Sequence, residues 1–418
     1  MIRHLLKLVW HRKRANALVM AEIFLCFLVV FAVATLGVSL LARWRSPLGF
    51  SWRDVWVVQV DRNRPSTSGT RTTGPPPDEI ADAANNAAEV VRLLREIKSF
   101  AQVEAVAADA MTPFAERTWD TVMTTNGRGV PVMRDQASDD YARAMQIPLL
   151  RGRWFSREDD GQDYAPLVID ADAARAMFGD ADPVGQKFAS YDGGPRGSTS
   201  EFRVVGLIPP YRKDGELSSP KLEMVFSRLS LSQSGAPDLP DGLSIVVRVR
   251  PGTPAVFESE MSNRLHSAAP NVRFRVRRMD EMRSLALRIR MLPLAALSLI
   301  AIFLIGMVAL GLTGVLWQSV TRRMHEIGIR RAAGASGRAV RAQIFAEVAL
   351  LTTLAVIAGV VIVLQLPLLG VFGLVTPAEL AAGLFAALAV IYALTLLCGA
   401  YPSWLASVVE PAEALRCE

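Results

Sequence analysis

The stretch Arg322–Arg341, RRMHEIGIRRAAGASGRAVR, lies between two apolar runs, residues 291–317 and 344–369. A helix rises 1.5 Å per residue, so about 20 apolar residues cross a hydrocarbon core roughly 30 Å thick. Both runs are long enough, and so are residues 17–42 and 380–405. The quoted stretch is therefore a short loop at a membrane face. Its arginines, Arg322, Arg323, Arg330, Arg331, Arg338 and Arg341, oppose one acid, Glu326. Loops this rich in arginine stay on the cytosolic side.

The rest of the topology follows from that assignment. Residues 1–16 carry Arg3, Lys7, Arg12, Lys13 and Arg14 and belong inside, and Leu5, Leu6, Leu8, Val9 and Trp10 among them suggest an amphipathic helix on the inner membrane surface. Residues 43–290 lie outside, 318–343 inside, the connection 370–379 outside without Lys or Arg, and 406–418 inside. The net charge of +6 is concentrated in the two basic cytosolic pieces. It therefore marks orientation and contact with anionic membrane lipid, not nucleic acid. The chain is 51% hydrophobic and 21% charged, with mean hydropathy +0.27. That balance requires both membrane spans and a water-exposed domain. The first run exceeds the apolar length of a secretory signal and reads as a retained anchor.

Within the loop, Ile327, Ile329 and Ala332 stand among arginines, Gly334 and Gly337 bracket a turn, and Ser336 is placed to cap the next helix. The pattern is a short amphipathic helix, a break and a second helix. Charge alone fits a loop that only sets orientation. The order Glu326, Ile327, Gly328, Ile329, Arg330, Arg331, Ala332, Ala333, Gly334, Ala335, Ser336 resembles the run after the second span of the FtsX-like and MacB-like ABC-transporter permeases. In that family it is the coupling helix that docks on the ATPase subunit. The tail, Tyr401, Pro402, Ser403, Trp404 and then Glu410, Pro411, Ala412, Glu413, Ala414, Leu415, Arg416, resembles the family's closing segment. Through the resemblance Pro411, Glu413, Leu415 and Arg416 become further cytosolic contacts.

In the outer region, residues 54–60 are strand-like, 78–100 have helical spacing and 103–108 are a second strand. The order recurs at 244–250, 255–267 and 272–276. Two such units predict an α+β domain with a ferredoxin-like split βαβ layer and a mixed α/β insert at about 113–239. In the insert, a strand from Pro166, a short helix at 173–178 and a strand at 202–207 resemble the MacB-like extracytoplasmic domain, with Asp170 and Asp172 where the family has asparagine. Residues 64–77, 191–200 and 232–241 read as loops.

The chemistry of the chain is narrow. There is no GxxxxGK followed by Ser or Thr, no GxSxG, no HExxH and no CxxC. The histidines are His4, His11, His266 and His325, and Cys26, Cys398 and Cys417 all fall in spans or tail. The chain is thus expected to be non-catalytic, with no metal site. Glu158, Asp159, Asp160, Gly161 and Asp163 invite a calcium reading, but the EF-hand register puts Ser156 first and Leu167 twelfth. Arg151, Gly152 and Arg153 fit either an anion site or an exposed turn. Glu22, Glu347, Gln318 and Gln365 are almost all that is strongly polar in the spans, which argues against a hydrophilic conduit. Glu22 is close enough to the inner face to snorkel. The pairs Ala382 and Ala386, Gly383 and Ala387, and Ala389 and Ala393 fit either close helix packing or lipid exposure.

The resemblance implies an inner-membrane half-permease of the mechanotransmission type. It would couple a separate cytosolic ABC ATPase, which holds ATP and Mg, to movements of the outer domain. A second copy or a paralogue would complete the pair, with a periplasmic adaptor or carrier as a further partner. The work implied is export of peptides or small molecules from the periplasm, or extraction of lipoprotein or lipid. The alternative is a membrane sensor, scaffold or regulator of envelope enzymes with the same architecture.

Overall fold

The computed structural model describes residues 13–61, 88, 90–115, 117–125, 127–191, 199–218, 223–230, 243–270, 273–322, 329, 336–366 and 375–408. The chain divides into two compact units, Met1–Ala42 with Arg290–Glu418, and Arg43–Ile289. In chain order the first elements are α1 (Lys13–Trp44), β1 (Val55–Asp61), α2 (described over 90–98), β2 (Val103–Asp109), β3 (Asp120–Thr125), β4 (Arg128–Ala137) and α3 (Tyr141–Met145). Then come β5 (Arg151–Gly152), β6 (Ala165–Asp170), α4 (Ala171–Phe178), β7 (Lys187–Tyr191), β8 (Thr199–Ile208) and β9 (Glu223–Arg228). The last are β10 (Ser244–Val249), α5 (Phe257–Ala268), β11 (Arg273–Arg278), α6 (Met279–Arg322), α7 (Gly337–Gln365) and α8 (Pro377–Val408). The amphipathic helix expected at the N-terminus, and the loops expected at 64–77 and 232–241, lie outside the described residues.

In the Arg43–Ile289 unit the strands form one sheet of order β11-β1-β10-β2-β4-β9-β6-β8-β5, with β3 on β4 and β7 on β8. Its first half, β11-β1-β10-β2, is antiparallel throughout. Two interleaved strand–helix–strand units generate that order, because each crossover leaves a gap that a strand of the other unit fills. Side chains alternate across the pleat. On β1, Trp56, Val58 and Val60 face α2 and α5, where Leu93, Ile97, Phe257, Met261 and Leu265 close a buried core. The α5 residues recur every four positions, which places them on one helix stripe.

The second half mixes directions: β4 runs parallel to β9 and β6 parallel to β8, while β6 and β9 are antiparallel. Helix α4 covers it through Ala173, Ala174 and Met177, packed with Leu167, Ile169, Phe202 and Val204. The β5–β8 edge needs glycine. A Cβ on Gly206 would strike the Arg153 carbonyl, and one on Gly152, at φ +74°, would strike the Val205 carbonyl. The two halves meet at β2 and β4, with a single residue pair in register, Asp109 opposite Ala137. A third core runs under that seam and joins both halves. It includes Val57, Ala107, Met133, Tyr141, Trp154 and Phe226.

In the other unit, four helices are long and apolar enough to cross a membrane, at Ala17–Trp44, Met279–Gln318, Gly337–Gln365 and Pro377–Ala400. Helix α6 starts at Met279, well before the apolar run at 291, because Asp280 and Glu281 suit a first turn where the helix dipole favours anions. Phe27, Phe31, Leu312, Val356, Ala387 and Ile391 are buried in the bundle. Helices α7 and α8 share two hydroxyl pairs, Thr352 with Thr395 at 3.1 Å and Thr353 with Tyr392 at 3.0 Å. Of the small-residue pairs in α8, Gly383 and Ala387 are buried, whereas Ala382, Ala389 and Ala393 are exposed. One stripe packs and the others do not. Glu22 does not simply snorkel: its Oε2 is enclosed, without a hydrogen-bond partner among the described residues, beside Gly311.

A Cβ on Gly383 would meet the Thr35 hydroxyl and lie 2.7 Å from its Cα, whereas one on Gly314 meets nothing within 4 Å. Gly383→Ala is expected to destabilise the bundle by about 1–3 kcal/mol, as overpacking does, and Gly314→Ala to be neutral or mildly stabilising. Thermal unfolding of the two variants in the same detergent checks the contrast.

Candidate functional site

Helix α6 ends at Arg322 and α7 begins at Gly337, so the basic segment separates two candidate spans. Ser336 has extended backbone, and its Oγ accepts from the Ala339 amide at 3.3 Å, capping α7. Ile329 is helical and half exposed. Glu326, Ile327, Gly328, Arg330, Arg331, Gly334 and Ala335 lie outside the described residues, as do Pro411, Glu413, Leu415 and Arg416. Arg338 falls in the first turn of α7, which has no acid. A cation there opposes the helix dipole and costs a few tenths of a kcal/mol up to about 1 kcal/mol. Its use is thus something other than helix stability.

A second constellation was not singled out in the sequence. The segment 209–218, PPYRKDGELS, is an almost wholly buried loop that carries four charges. A buried charge must be paired or hydrogen-bonded, and each of these is. Arg212 donates to the carbonyls of Arg43 at 2.7 Å, Glu216 at 2.8 Å and Ser218 at 3.0 Å, and its amide donates to Leu48 O at 2.9 Å. Glu216 Oε1 accepts from Arg283 at 2.6 Å, and that guanidinium stacks over Trp52 and Trp44. Lys213 donates to the carbonyls of Ala115 and Arg117 and pairs with Asp214. The loop therefore holds both ends of its unit, Arg43 where it begins and Arg283 close to Ile289 where it ends.

Tyr211 carries the loop into the core. Its hydroxyl meets that of Tyr141 at 3.0 Å, and its amide donates to Asp170 Oδ2 at 3.2 Å. Asp170, one of the two aspartates at the family's asparagine position, also caps α4 through the Ala173 amide at 2.8 Å. Burial pushes its carboxyl up to about 7 against those two amide bonds. Asp172 makes an exposed pair with Arg175. Both aspartates are thus engaged within the fold.

Beside the tyrosines sit two further buried acids, Asp109 and Asp135. Asp135 Oδ1 accepts from the amides of Met111 at 3.0 Å and Gln136 at 2.7 Å, and Asp109 Oδ1 accepts from Thr112 at 3.0 Å. The Oδ2 atoms of both are buried without a hydrogen-bond partner among the described residues. Burial pushes Asp109 up to about 7, and burial with the neighbouring Asp109 charge pushes Asp135 well up.

The acidic loop is spent on ion pairs. Asp159 is clamped by Arg153 at 2.5 and 2.8 Å, Asp160 takes Arg228 at 2.6 Å, and Asp163 lies 3.7 Å from Lys187. Arg151 pairs with Asp182 at 2.9 Å, so both arginines of the Arg-Gly-Arg turn already have carboxylate partners.

The chain matches the family described as MacB-like periplasmic core domain over residues 17–263, and the FtsX-like permease C-terminal family over residues 298–411. It belongs to the family of FtsX-like and MacB-like ABC-transporter permeases, as a multi-pass membrane protein with an extracytoplasmic domain. It is 27% identical over 291 residues to the macrolide export ATP-binding/permease protein MacB of Bdellovibrio bacteriovorus, covering 64% of this chain and 41% of that one. It is 25% identical over 285 residues to the pyoverdine export ATP-binding/permease protein PvdT of Pseudomonas syringae pv. tomato, covering 65% and 40%. The chain thus spans about two fifths of the length of these relatives. The crystal structure of the periplasmic region of MacB from Actinobacillus actinomycetemcomitans aligns with 56% of this chain and 93% of that one at 14% identity, with a TM-score of 0.36.

Removing one partner of a buried ion pair strands the other charge, at about 3–5 kcal/mol. The Glu216 and Arg283 side chains are 8% and 18% exposed. Glu216→Ala is therefore expected to lower the unfolding temperature of the extracytoplasmic domain by several degrees. Exposed Asp172→Ala, which also breaks an ion pair, should change it little. Differential scanning calorimetry of the full chain in detergent compares them.

Proposed function

We propose that the chain is a permease subunit driven by a separate cytosolic ABC ATPase, which holds ATP and Mg, and that it transmits ATPase movements to its extracytoplasmic domain. The observation that carries this reading is the Glu326–Ser336 run, set between two candidate spans and followed by the Ser336-capped start of α7. On this reading Ile327 and Ile329 are apolar anchors in a groove of the ATPase, and Arg330 and Arg331 meet its acidic groups, the helix-in-groove mode of recognition. The chain binds no cofactor of its own and works as a pair in the bacterial inner membrane, with a second copy or a paralogue. Names of relatives that read macrolide export and pyoverdine export support export of a small molecule or peptide from the periplasm, and lipoprotein or lipid extraction is the other task of this architecture. A periplasmic adaptor or carrier would receive the cargo.

Truncating an anchor in such a contact commonly costs about 2 kcal/mol or more. Ile327→Ala with Ile329→Ala should leave membrane insertion intact and reduce co-purification of the ATPase at least tenfold. Unchanged association would make the segment an orientation signal only. Orientation has its own check in a chain first freed of Cys26, Cys398 and Cys417. A membrane-impermeant thiol reagent should label exposed Glu158→Cys in cells with a permeabilised outer membrane and should spare exposed Ser336→Cys until lysis.

A further inference from the structure

The seam between the two halves of the outer sheet is narrow. Between β2 and β4 the main chain contributes Ala110 N to Gln136 O and Ser138 N to Ala108 O, both at 2.9 Å. The next link is not backbone to backbone: the Met111 amide donates to the Asp135 side chain. Asp109 stands on the strand opposite, at the one residue pair in register. A carboxyl from each strand therefore sits at the joint, each with one buried oxygen lacking a hydrogen-bond partner among the described residues.

The groups facing the pair are few. Tyr141 of α3 and Tyr211 of the buried loop lie beside it, with hydroxyls bonded to each other. Lys213 is the cation that acts on both acids, and its Nζ is already committed to the carbonyls of Ala115 and Arg117 and to Asp214. Arg248 of β10 turns to the carbonyls of Ala144, Arg53 and Ser51. Arg228 of β9 takes Asp139 and Asp160. Asp170 is tied to the amides of Ala173 and Tyr211. Two adjacent buried carboxylates with one shared, distracted cation cannot both ionise without repulsion in a medium that screens poorly.

We propose that Asp109 and Asp135 make this seam a proton-dependent joint, closed while both carboxyls hold their protons and loosened as they ionise. The joint needs neither nucleotide nor partner, so it stands apart from the coupling reading. The sign follows from linkage. A carboxyl whose folded pKa lies above its unfolded value, about 3.9, keeps its proton better in the folded state. Its penalty is absent below the unfolded pKa, grows as pH rises toward the folded value, about 7 for Asp109, and is complete above it. The seam is therefore tightest in mild acid and weakest in mild alkali.

Asp109→Asn combined with Asp135→Asn should abolish the response, because burial raises each acid and either one left alone still titrates. Each amide oxygen can still accept the bonds of the carboxylate oxygen it replaces, from Thr112 or from Met111 and Gln136, while its Nδ2 stands in for the protonated oxygen. The test is hydrogen exchange of the full chain in detergent, followed at Ala110, Met111 and Ser138 and corrected for intrinsic rates, between pH 5.5 and 8.5. Protection at these amides is expected to fall at least tenfold across that range in the native chain and to stay flat in the double variant, while α5 amides stay flat in both. Native protection independent of pH would overturn the proposal, and so would a double variant that keeps the full response. Should the double variant fail to fold, Asp109→Asn and Asp135→Asn singly give a second reading: each must shrink the fall, and an undiminished fall in both would equally overturn the proposal.

Discussion

Arg212 is only 9% exposed, and its guanidinium is held by three main-chain carbonyls, those of Arg43, Glu216 and Ser218. Burial lowers its pKa, and the neighbouring Arg43 charge adds to that. Taking a cation out of water costs several kcal/mol, and these carbonyls offset it, although Nε is buried without a hydrogen-bond partner among the described residues. The outer domain therefore cannot let this loop go without stranding a charge. Tyr211, Lys213 and Glu216 multiply the same constraint, because each ties the loop to a different part of the domain: the seam, the 115–117 segment and Arg283.

On the proposed function the domain passes on a displacement, and that arrangement suits the task. Apolar packing alone tolerates repacking, whereas a charge buried against named carbonyls has one arrangement or another. The loop holds the first residue of the domain and a residue near its last, and it also touches the tyrosine pair beside the seam. On that reading a pull at either end would reach the segment that borders the joint between the sheet halves. The spans add little polar chemistry beyond Glu22, Glu347 and the paired Thr and Tyr hydroxyls.

Where one physical signal dominated, the sequence could be read directly. The spans followed from apolar length, and β1, β2, β6, β8 and β10 from runs of β-branched residues bounded by turns. The first half of the sheet followed because its two units repeat the same order of elements. Strands β4 and β9 were missed because Arg134, Asp135, Gln136, Ser227 and Arg228 interrupt the apolar alternation. Most of their polar groups find partners in the strands, as Arg134 does with Ser227 at 3.1 Å, while one buried oxygen of Asp135 does not among the described residues. The buried loop was missed for the same reason. PPYRKDGELS has the composition of a solvated turn, and its charges are met partly inside the loop and partly by Arg43, Ala115, Arg117 and Arg283, 67 to 169 positions away in sequence. The one signal available was Tyr211 followed by two cations and Gly215, which has φ +92°. The coupling run was legible only through resemblance, since its charge alone also fits an orientation signal.

On the proposed function, work done at the cytosolic ATPase reaches the buried loop of the outer domain. Hydrogen exchange over Tyr211–Ser218, in the permease reconstituted with its ATPase, tests it most directly. The amides of Tyr211, Arg212, Gly215 and Ser218 are held by Asp170, Leu48, Arg212 and Gly215 respectively, so a displaced loop must change their protection. Protection should differ between the nucleotide-free complex and one trapped with a non-hydrolysable ATP analogue. The same protection in both, with the analogue verified as bound, would contradict it.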